Sequence, residues 1–319
     1  VGNRVGCATN KELRETMASS TSYTREDLIN FAPSRQAFVG IDSDGCVFDS
    51  MEIKQKKCFH PLIISHWKLE RIAEYVSEAA QFANLYSKWR GQNRFPALIM
   101  TFDLLRERPE VRESGVPIPE LFSLRKFVAS GAALGNPELE RAVEETRDPE
   151  LLSVLEWSKA VNDLIARTVK KVPPFQWARR SLEKIAAHAD AICVSQTPAE
   201  ALIREWDENG ITPFVRIIAG QELGTKADHI RLAAGGKYPP EKILMIGDAP
   251  GDKKAAKANN AMFYPINPGR EEESWKRFHE EAFDRFLAGK YAGAYEAELI
   301  EEFDALLPDI PPWKKSARR

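Results

Sequence analysis

Gln36-Ala37-Phe38-Val39-Gly40-Ile41-Asp42-Ser43-Asp44-Gly45 is a short apolar run that ends abruptly in two aspartates one residue apart. A run of this length, bounded by turn residues, reads as a buried strand. Side chains alternate along extended backbone, so Asp42 and Asp44 would point the same way if that conformation persisted past the strand end. Alone, such a pair is ordinarily a solvated turn or a helix cap, and the rest of the chain has to decide its meaning.

From about Met51 to Val172 no further strand is evident, only helical periodicity, as in Ile72, Tyr75, Val76, Ala79, Phe82 and Ala83, then Leu151, Leu155, Val161, Leu164 and Ile165. Asn136 suits an N-cap with Pro137 at the first helical position, and Val172-Pro173-Pro174 reads as the hinge out of this block. Beyond it, strands at Ala191 to Val194, Val215 to Ile218, Ile243 to Ile246 and Met262 to Ile266 alternate with helices at about 177 to 188, 199 to 208, 225 to 234 and 251 to 259. Such alternation implies right-handed crossovers and a parallel α/β sheet covered on both faces, to which the strand ending at Asp42 belongs. Upstream, a possible short helix spans Lys11 to Met17, and Thr24 suits an N-cap with Asp27 three residues on. Residues 270 to 319 look helical again and end in a proline-broken basic tail.

Ligands of open parallel sheets bind beyond the carboxyl ends of the strands. Those ends carry Asp42 and Asp44, then Ser195-Gln196-Thr197, then Lys226 after the third strand, then Asp248 followed by Asp252. Neighbouring carboxylates repel unless a cation or a shared proton offsets them. Four acids make a hard, oxygen-rich site suited to Mg²⁺, while the absence of histidine or cysteine at ligand spacing argues against zinc. Thr225 with Asp228 resembles a capping box, which puts Lys226 in the first turn of a helix. A cation there opposes the macrodipole, so an anionic ligand would account for it.

D-S-D-G-C-V-F-D-S at 42 to 50, V-S-Q-T at 194 to 197, G-T-K at 224 to 226 and G-D-A-P-G-D at 247 to 252 resemble, in order and strand context, the four motifs of the haloacid dehalogenase superfamily. The resemblance implies a Rossmann-like parallel sheet core with an inserted all-helical cap of the C1 type. It divides the chain into an N-terminal extension at 1–35, a core at 36–50 plus 173–268, a cap at 51–172 and a helical C-terminal extension at 269–319. It further implies that Asp42 is a nucleophile forming an aspartyl phosphate, and that Asp44 protonates the leaving oxygen and later activates water. Ser195 and Gln196 would meet the phosphoryl group and Lys226 would neutralise charge. Mg²⁺ would be held by Asp42, Asp44 through its carbonyl, Asp248 and Asp252, with Asp252 open to a supporting role instead. Members acting on carbon–halogen bonds lack an acid where Asp44 stands, because halide leaves without a proton, so phosphate ester cleavage is implied. Departures from the family pattern are Cys46 for the usual threonine, Gln196 for a common asparagine and Asn259 for a frequent glycine.

Within the helical block, Ser87-Lys88-Trp89-Arg90-Gly91-Gln92-Asn93-Arg94 breaks a helical run with a basic, glycine-containing segment. R-G-x-x-R is similar to the substrate-contacting cap loop of β-phosphoglucomutase-like relatives, so Arg90 and Arg94 are candidate substrate ligands, equally readable as an exposed turn. Lys57 and His60 are further specificity candidates. The expected activity is an Mg²⁺-dependent phosphatase acting on a small soluble phosphomonoester. The alternatives are a sugar phosphomutase, for which Arg90 and Arg94 are the hint, or a non-catalytic binding protein on the same fold.

Composition is that of an ordinary soluble protein: 43% hydrophobic and 29% charged residues with a formal charge of -2 offer no nucleic-acid footprint. No apolar run approaches the ~18 residues of a membrane span, and no signal peptide is apparent. Four scattered cysteines, Cys7, Cys46, Cys58 and Cys193, form no C-x-x-C pair, which suits a reducing cytoplasm.

Overall fold

The computed structural model describes residues 23 to 316, so the Lys11 to Met17 helix and Cys7 lie outside the described residues. Five strands, β1 (Phe38–Ile41), β2 (Asp190–Val194), β3 (Ile217–Ala219), β4 (Ile243–Gly247) and β5 (Met262–Pro265), form one sheet in the order β3-β2-β1-β4-β5. All four pairings are parallel, and β1 lies at the centre with Ile41 level with Cys193 and Ile246. The expected Rossmann-like architecture with an inserted helical block is the architecture found.

Strand parity explains how the sheet is covered. Val39, Ile41, Cys193, Leu244, Ile246 and Tyr264 project into one apolar cluster, and Phe38, Ile192, Val194, Met245 and Phe263 into the other. The first face is covered by helices Gln176–His188, Ala199–Glu208 and the stretch from Glu271–Arg277 to Phe283–Leu287, whose Trp275, Phe278, Phe283 and Phe286 belong to that cluster. The second is covered by Arg25–Ile29, Lys226–Ala234, Pro250–Ala258 and Ala294–Leu306. The C-terminal helices therefore complete the sheet's packing.

Between β1 and β2 the chain is helical throughout, from Ser50–Lys54 to Pro149–Thr168, and these helices bury a third cluster that includes Phe59, Val76, Phe102, Leu105, Trp157 and Val161. The first of them runs on through a π-helical turn at Gln55–Phe59 into His60–His66. No helix among the described residues is long and apolar enough to cross a membrane.

Some local expectations move. Val215 turns its N–H back to Thr212 O at 3.1 Å, so β3 begins at Ile217 and not at Val215. Gly135, not Asn136, caps the Asn136–Thr146 helix, because the Asn136 side chain accepts a hydrogen bond from Ser158 Oγ at 2.6 Å. Thr24 and Asp27 form the capping box their spacing suggests.

Candidate active site

β1 leads directly into the site. Even-numbered β1 side chains face the second cluster, and Asp42 continues that face one step past the strand, its N–H still donating to Ile246 O at 3.0 Å. Ser43 falls on the opposite face, where it accepts from the Trp206 indole N–H at 3.0 Å. The chain then turns: Cys46, Val47 and Phe48 all donate N–H to Ser43 O, and Gly45 adopts φ +79, a left-handed conformation that glycine takes without strain. The turn separates the two aspartates, so they serve different partners, contrary to the expectation that they point together.

Asp42 is 3% exposed, and the half-buried Lys226 bridges it to Asp252 with Nζ–O distances of 2.9 and 2.6 Å. Lys226 stands in the first turn of its helix behind the Thr225–Asp228 capping box, as the sequence predicts. Oxygens of Asp42, Asp248 and Asp252 lie within 4.8 Å of one another. Burial pushes the Asp42 carboxyl well up; Lys226 opposes this, while Asp252 and Asp248 add to it. Burial disfavours the Lys226 charge, but Asp252 and Asp42 outweigh it and raise the ammonium above its ordinary value. Asp252 Oδ2 also accepts the Ala249 N–H at 3.0 Å, so it caps its own helix, and a Cβ on Gly247 would come within 2.3 Å of its carboxyl carbon. Asp248 Oδ1 is buried without a hydrogen-bond partner. Such an oxygen calls for a ligand, and the donor set of carboxylates fits Mg²⁺.

Asp44 is held elsewhere. Lys54 Nζ lies 2.5 Å from Oδ1, Ser50 Oγ donates to the same oxygen, and Thr197 Oγ1 donates to Oδ2 at 2.7 Å. Burial works against its charge, but the Lys54 ammonium and these hydrogen bonds prevail and hold the carboxyl below the usual carboxylate range. Its carboxylate is not among the three clustered for a metal. The sequence marks Thr197 as a strand-end residue but carries no signal that Ser50 and Lys54 belong to the site. Lys54 lies ten residues past Asp44, on the first turns of a helix whose direction the sequence does not reveal.

Ser195 is 2% exposed at the end of β2; its N–H extends the ladder to Ala219 O and its hydroxyl oxygen accepts the Thr197 N–H at 3.2 Å. It does not cap the following helix, whose N-cap is Pro198. Gln196 is exposed, and its amide nitrogen donates to the carbonyls of Ser195 and Gly224, which ties two loops together and spends the donor expected to meet phosphate.

The two cap arginines part company. Arg90 is 3% exposed and is paired to Asp248. Arg94 stays within the cap: one Nη donates to Ser158 and to Asn162 Oδ1 at 2.8 Å, its guanidinium lies over Phe59, and burial pushes it down to about 10. His60 is buried and pushed down to about 4 by burial, with Lys56 adding to the effect, whereas Lys57 is exposed. Cys46 is fully buried and its thiol is pushed well up, first by burial, so it is not a reactive thiol.

Comparison with known proteins returns no matching protein-family model and no matching curated protein. Among solved structures, a protein assigned as a phosphoglycolate phosphatase from Lactobacillus delbrueckii subsp. bulgaricus aligns at 14% identity and TM-score 0.47, covering 81% of this chain and 100% of that one. A protein assigned as a β-phosphoglucomutase from Bacteroides vulgatus aligns at 14% identity and TM-score 0.43, covering 84% and 98%. A magnesium-bound haloacid dehalogenase-type hydrolase from Bacillus subtilis aligns at 11% identity and TM-score 0.42, covering 77% and 99%.

Proposed function

We propose that the chain is a haloacid dehalogenase-superfamily phosphatase, dependent on Mg²⁺, that hydrolyses a small soluble phosphomonoester through an aspartyl phosphate on Asp42. One observation carries this reading: Lys226 bridges Asp42 and Asp252 while Asp248 completes a carboxylate cluster at the carboxyl ends of β1 and β4. Phosphoryl transfer needs alignment and neutralised oxygen charge more than covalent chemistry from the protein.

In this reading Asp42 attacks phosphorus while the ester oxygen leaves with a proton from Asp44. Asp44, now a carboxylate, then removes a proton from the water that hydrolyses the aspartyl phosphate. Lys226 works against the burial that raises the Asp42 carboxyl and faces the phosphoryl oxygens, to which Ser195 adds a hydroxyl donor. Mg²⁺ held by Asp42 and Asp248, with Asp252 supporting through Lys226, would supply further neutralisation of phosphoryl charge. The contacts to Asp44 favour its ionised form. An anionic substrate that draws Lys54 away would let Asp44 take up the proton it must donate. The helical block at 51–172 serves as a cap that limits substrates to small ones. Neither arginine that suggests a mutase has a contact favouring that alternative.

Phosphate release measured across sugar phosphates, phosphoglycolate and nucleotides with Mg²⁺ tests the proposal. At least one substrate should turn over, Asp42→Asn should abolish release, and Asp44→Ala should reduce it by at least about a hundredfold. Release that survives Asp42→Asn unchanged would remove Asp42 as the nucleophile.

A further inference from the structure

From the cap, the Arg90 side chain reaches into the carboxylate cluster. Arg90 lies between the Ala73–Asn84 and Arg94–Glu107 helices, and both Nη2 and Nε approach Asp248 Oδ2, at 2.6 and 2.8 Å. Nε also donates to the Asp248 carbonyl at 3.0 Å, and Nη1 donates to Leu85 O at 2.9 Å. One carboxylate and two carbonyls thus surround a buried cation, the oxygen donors that a hard metal ion also seeks.

The segment around Arg90 is pressed against the core. A Cβ on Gly45 would lie 2.8 Å from Arg90 Nη2 and 2.4 Å from Asp248 Oδ2, and one on Gly91, at φ +76, would lie 2.8 Å from Ala249 Cβ. The same segment is gripped from the C-terminal end of the chain, where Lys88 N–H donates to Pro308 O at 3.3 Å and Lys88 Nζ pairs with Asp309 at 3.1 Å.

Charge arithmetic then sets the terms. Asp42, Asp248 and Asp252 give three negative charges, against two positive charges from Lys226 and Arg90. Adding a divalent cation with Arg90 in place leaves a buried excess of one positive charge, whereas adding it with Arg90 withdrawn balances the site. An uncompensated buried charge is expensive.

We propose that Arg90 and the divalent cation compete for Asp248, so that loading the metal expels Arg90 and releases the cap segment 87–94 from the core. The inference rests on reading Asp42, Asp248 and Asp252 as the metal site. Linkage makes it reciprocal: whatever weakens Arg90's hold tightens metal binding.

Calorimetric titration of the full chain with Mg²⁺ alone tests it. Arg90→Met should bind about tenfold more tightly than the wild type, within the usual range for coupled sites, while Arg94→Met should bind like the wild type. In the wild type, Mg²⁺ should speed amide hydrogen exchange across residues 87–94, a readout that needs no variant to fold. Equal or weaker binding by folded Arg90→Met, or slowed or unchanged exchange in that segment on metal addition, would overturn the competition and leave the metal site standing. Absence of Mg²⁺ binding in both chains would sink the metal-site reading and the inference with it.

Discussion

Asp44 shows how much one side chain's neighbours decide. The aspartate we propose as the acid and base is held towards its carboxylate form by Lys54, Ser50 and Thr197, with Lys54 the largest of the influences that favour its charge. Removing that ammonium by Lys54→Met should raise the Asp44 pKa, because the charged form loses its partner while burial remains. The alkaline limb of the pH profile of kcat/KM, where the free enzyme loses the proton Asp44 must donate, should then move up by roughly one pH unit, since an opposite charge at this range is worth about 1–3 units. An unmoved limb would show that Asp44 is not the group titrating there. The D-x-D spacing is plain in the sequence, and so is Lys226, whose capping box places it correctly. Lys54 was not legible, because its approach to Asp44 depends on the turn at Gly45 and on the course of the helix beginning at Ser50.

At the scale of elements, the C-terminal segment does more than end the chain. Ala294–Leu306 packs Phe303 beneath the sheet, and the next residues cross to the cap. There Trp313 sets its ring 5.7 Å from Phe82 and 4.6 Å from the Arg108 guanidinium, and Lys314 pairs with Glu107. The cap is thereby tied to the core by a third connection besides the two chain crossings that flank it. Deleting residues 308 to 319 should cost roughly 2–3 kcal/mol, mostly from the apolar contacts of a partly buried tryptophan. Proteolysis within 87–94 should also become faster while the sheet's far-UV signal is kept. Denaturant midpoints and cleavage rates identical to those of the full chain would show that the strap holds nothing. Helix ends read well where a local cap fixes them, as at Thr24 and Thr225, and poorly where a distant side chain intervenes, as at Asn136 with Ser158.

The whole molecule carries its acid sensitivity in a few buried groups. Burial holds His60 in the cap and His229 under the sheet down at about 4, so both stay neutral when folded while the unfolded chain would protonate them near ~6.5. Their lowered values favour the fold above pH ~6.5 and withdraw that support as pH falls towards 4, by up to a few kcal/mol. Asp190 continues the loss. At the start of β2 it is 2% exposed and pairs with Arg216; burial opposes its charge, but hydrogen bonds from Ser34, Tyr238 and Arg35 outweigh it and hold it down to about 2. Its contribution of about 2–3 kcal/mol is present above pH ~4 and disappears as pH falls through 2. In urea unfolding at a series of pH values, the histidine loss between 6.5 and 4 should be partly offset by Glu205, which burial raises to about 7 so that its protonation favours the fold, and a second fall should appear below 4. Asp190→Asn should remove the second fall and lower stability at pH 7; a second fall that persists in this variant would assign it to other groups.

The sequence by itself determined the alternation of strands and helices, the buried parallel sheet, the helical block after the first strand and the strand-end positions of Asp42, Ser195, Lys226 and Asp248. Those follow from local periodicity and from the rule that parallel sheets present their carboxyl ends together. Only the tertiary structure decided that Asp42 and Asp44 part company, that Gln196 turns to backbone carbonyls, and that Arg90 enters the carboxylate cluster while Arg94 stays in the cap. Those outcomes hang on charges and donors brought together by the fold, from 28 residues apart for Gln196 and Gly224 to 158 for Arg90 and Asp248, where no local pattern records which partner a long side chain will reach.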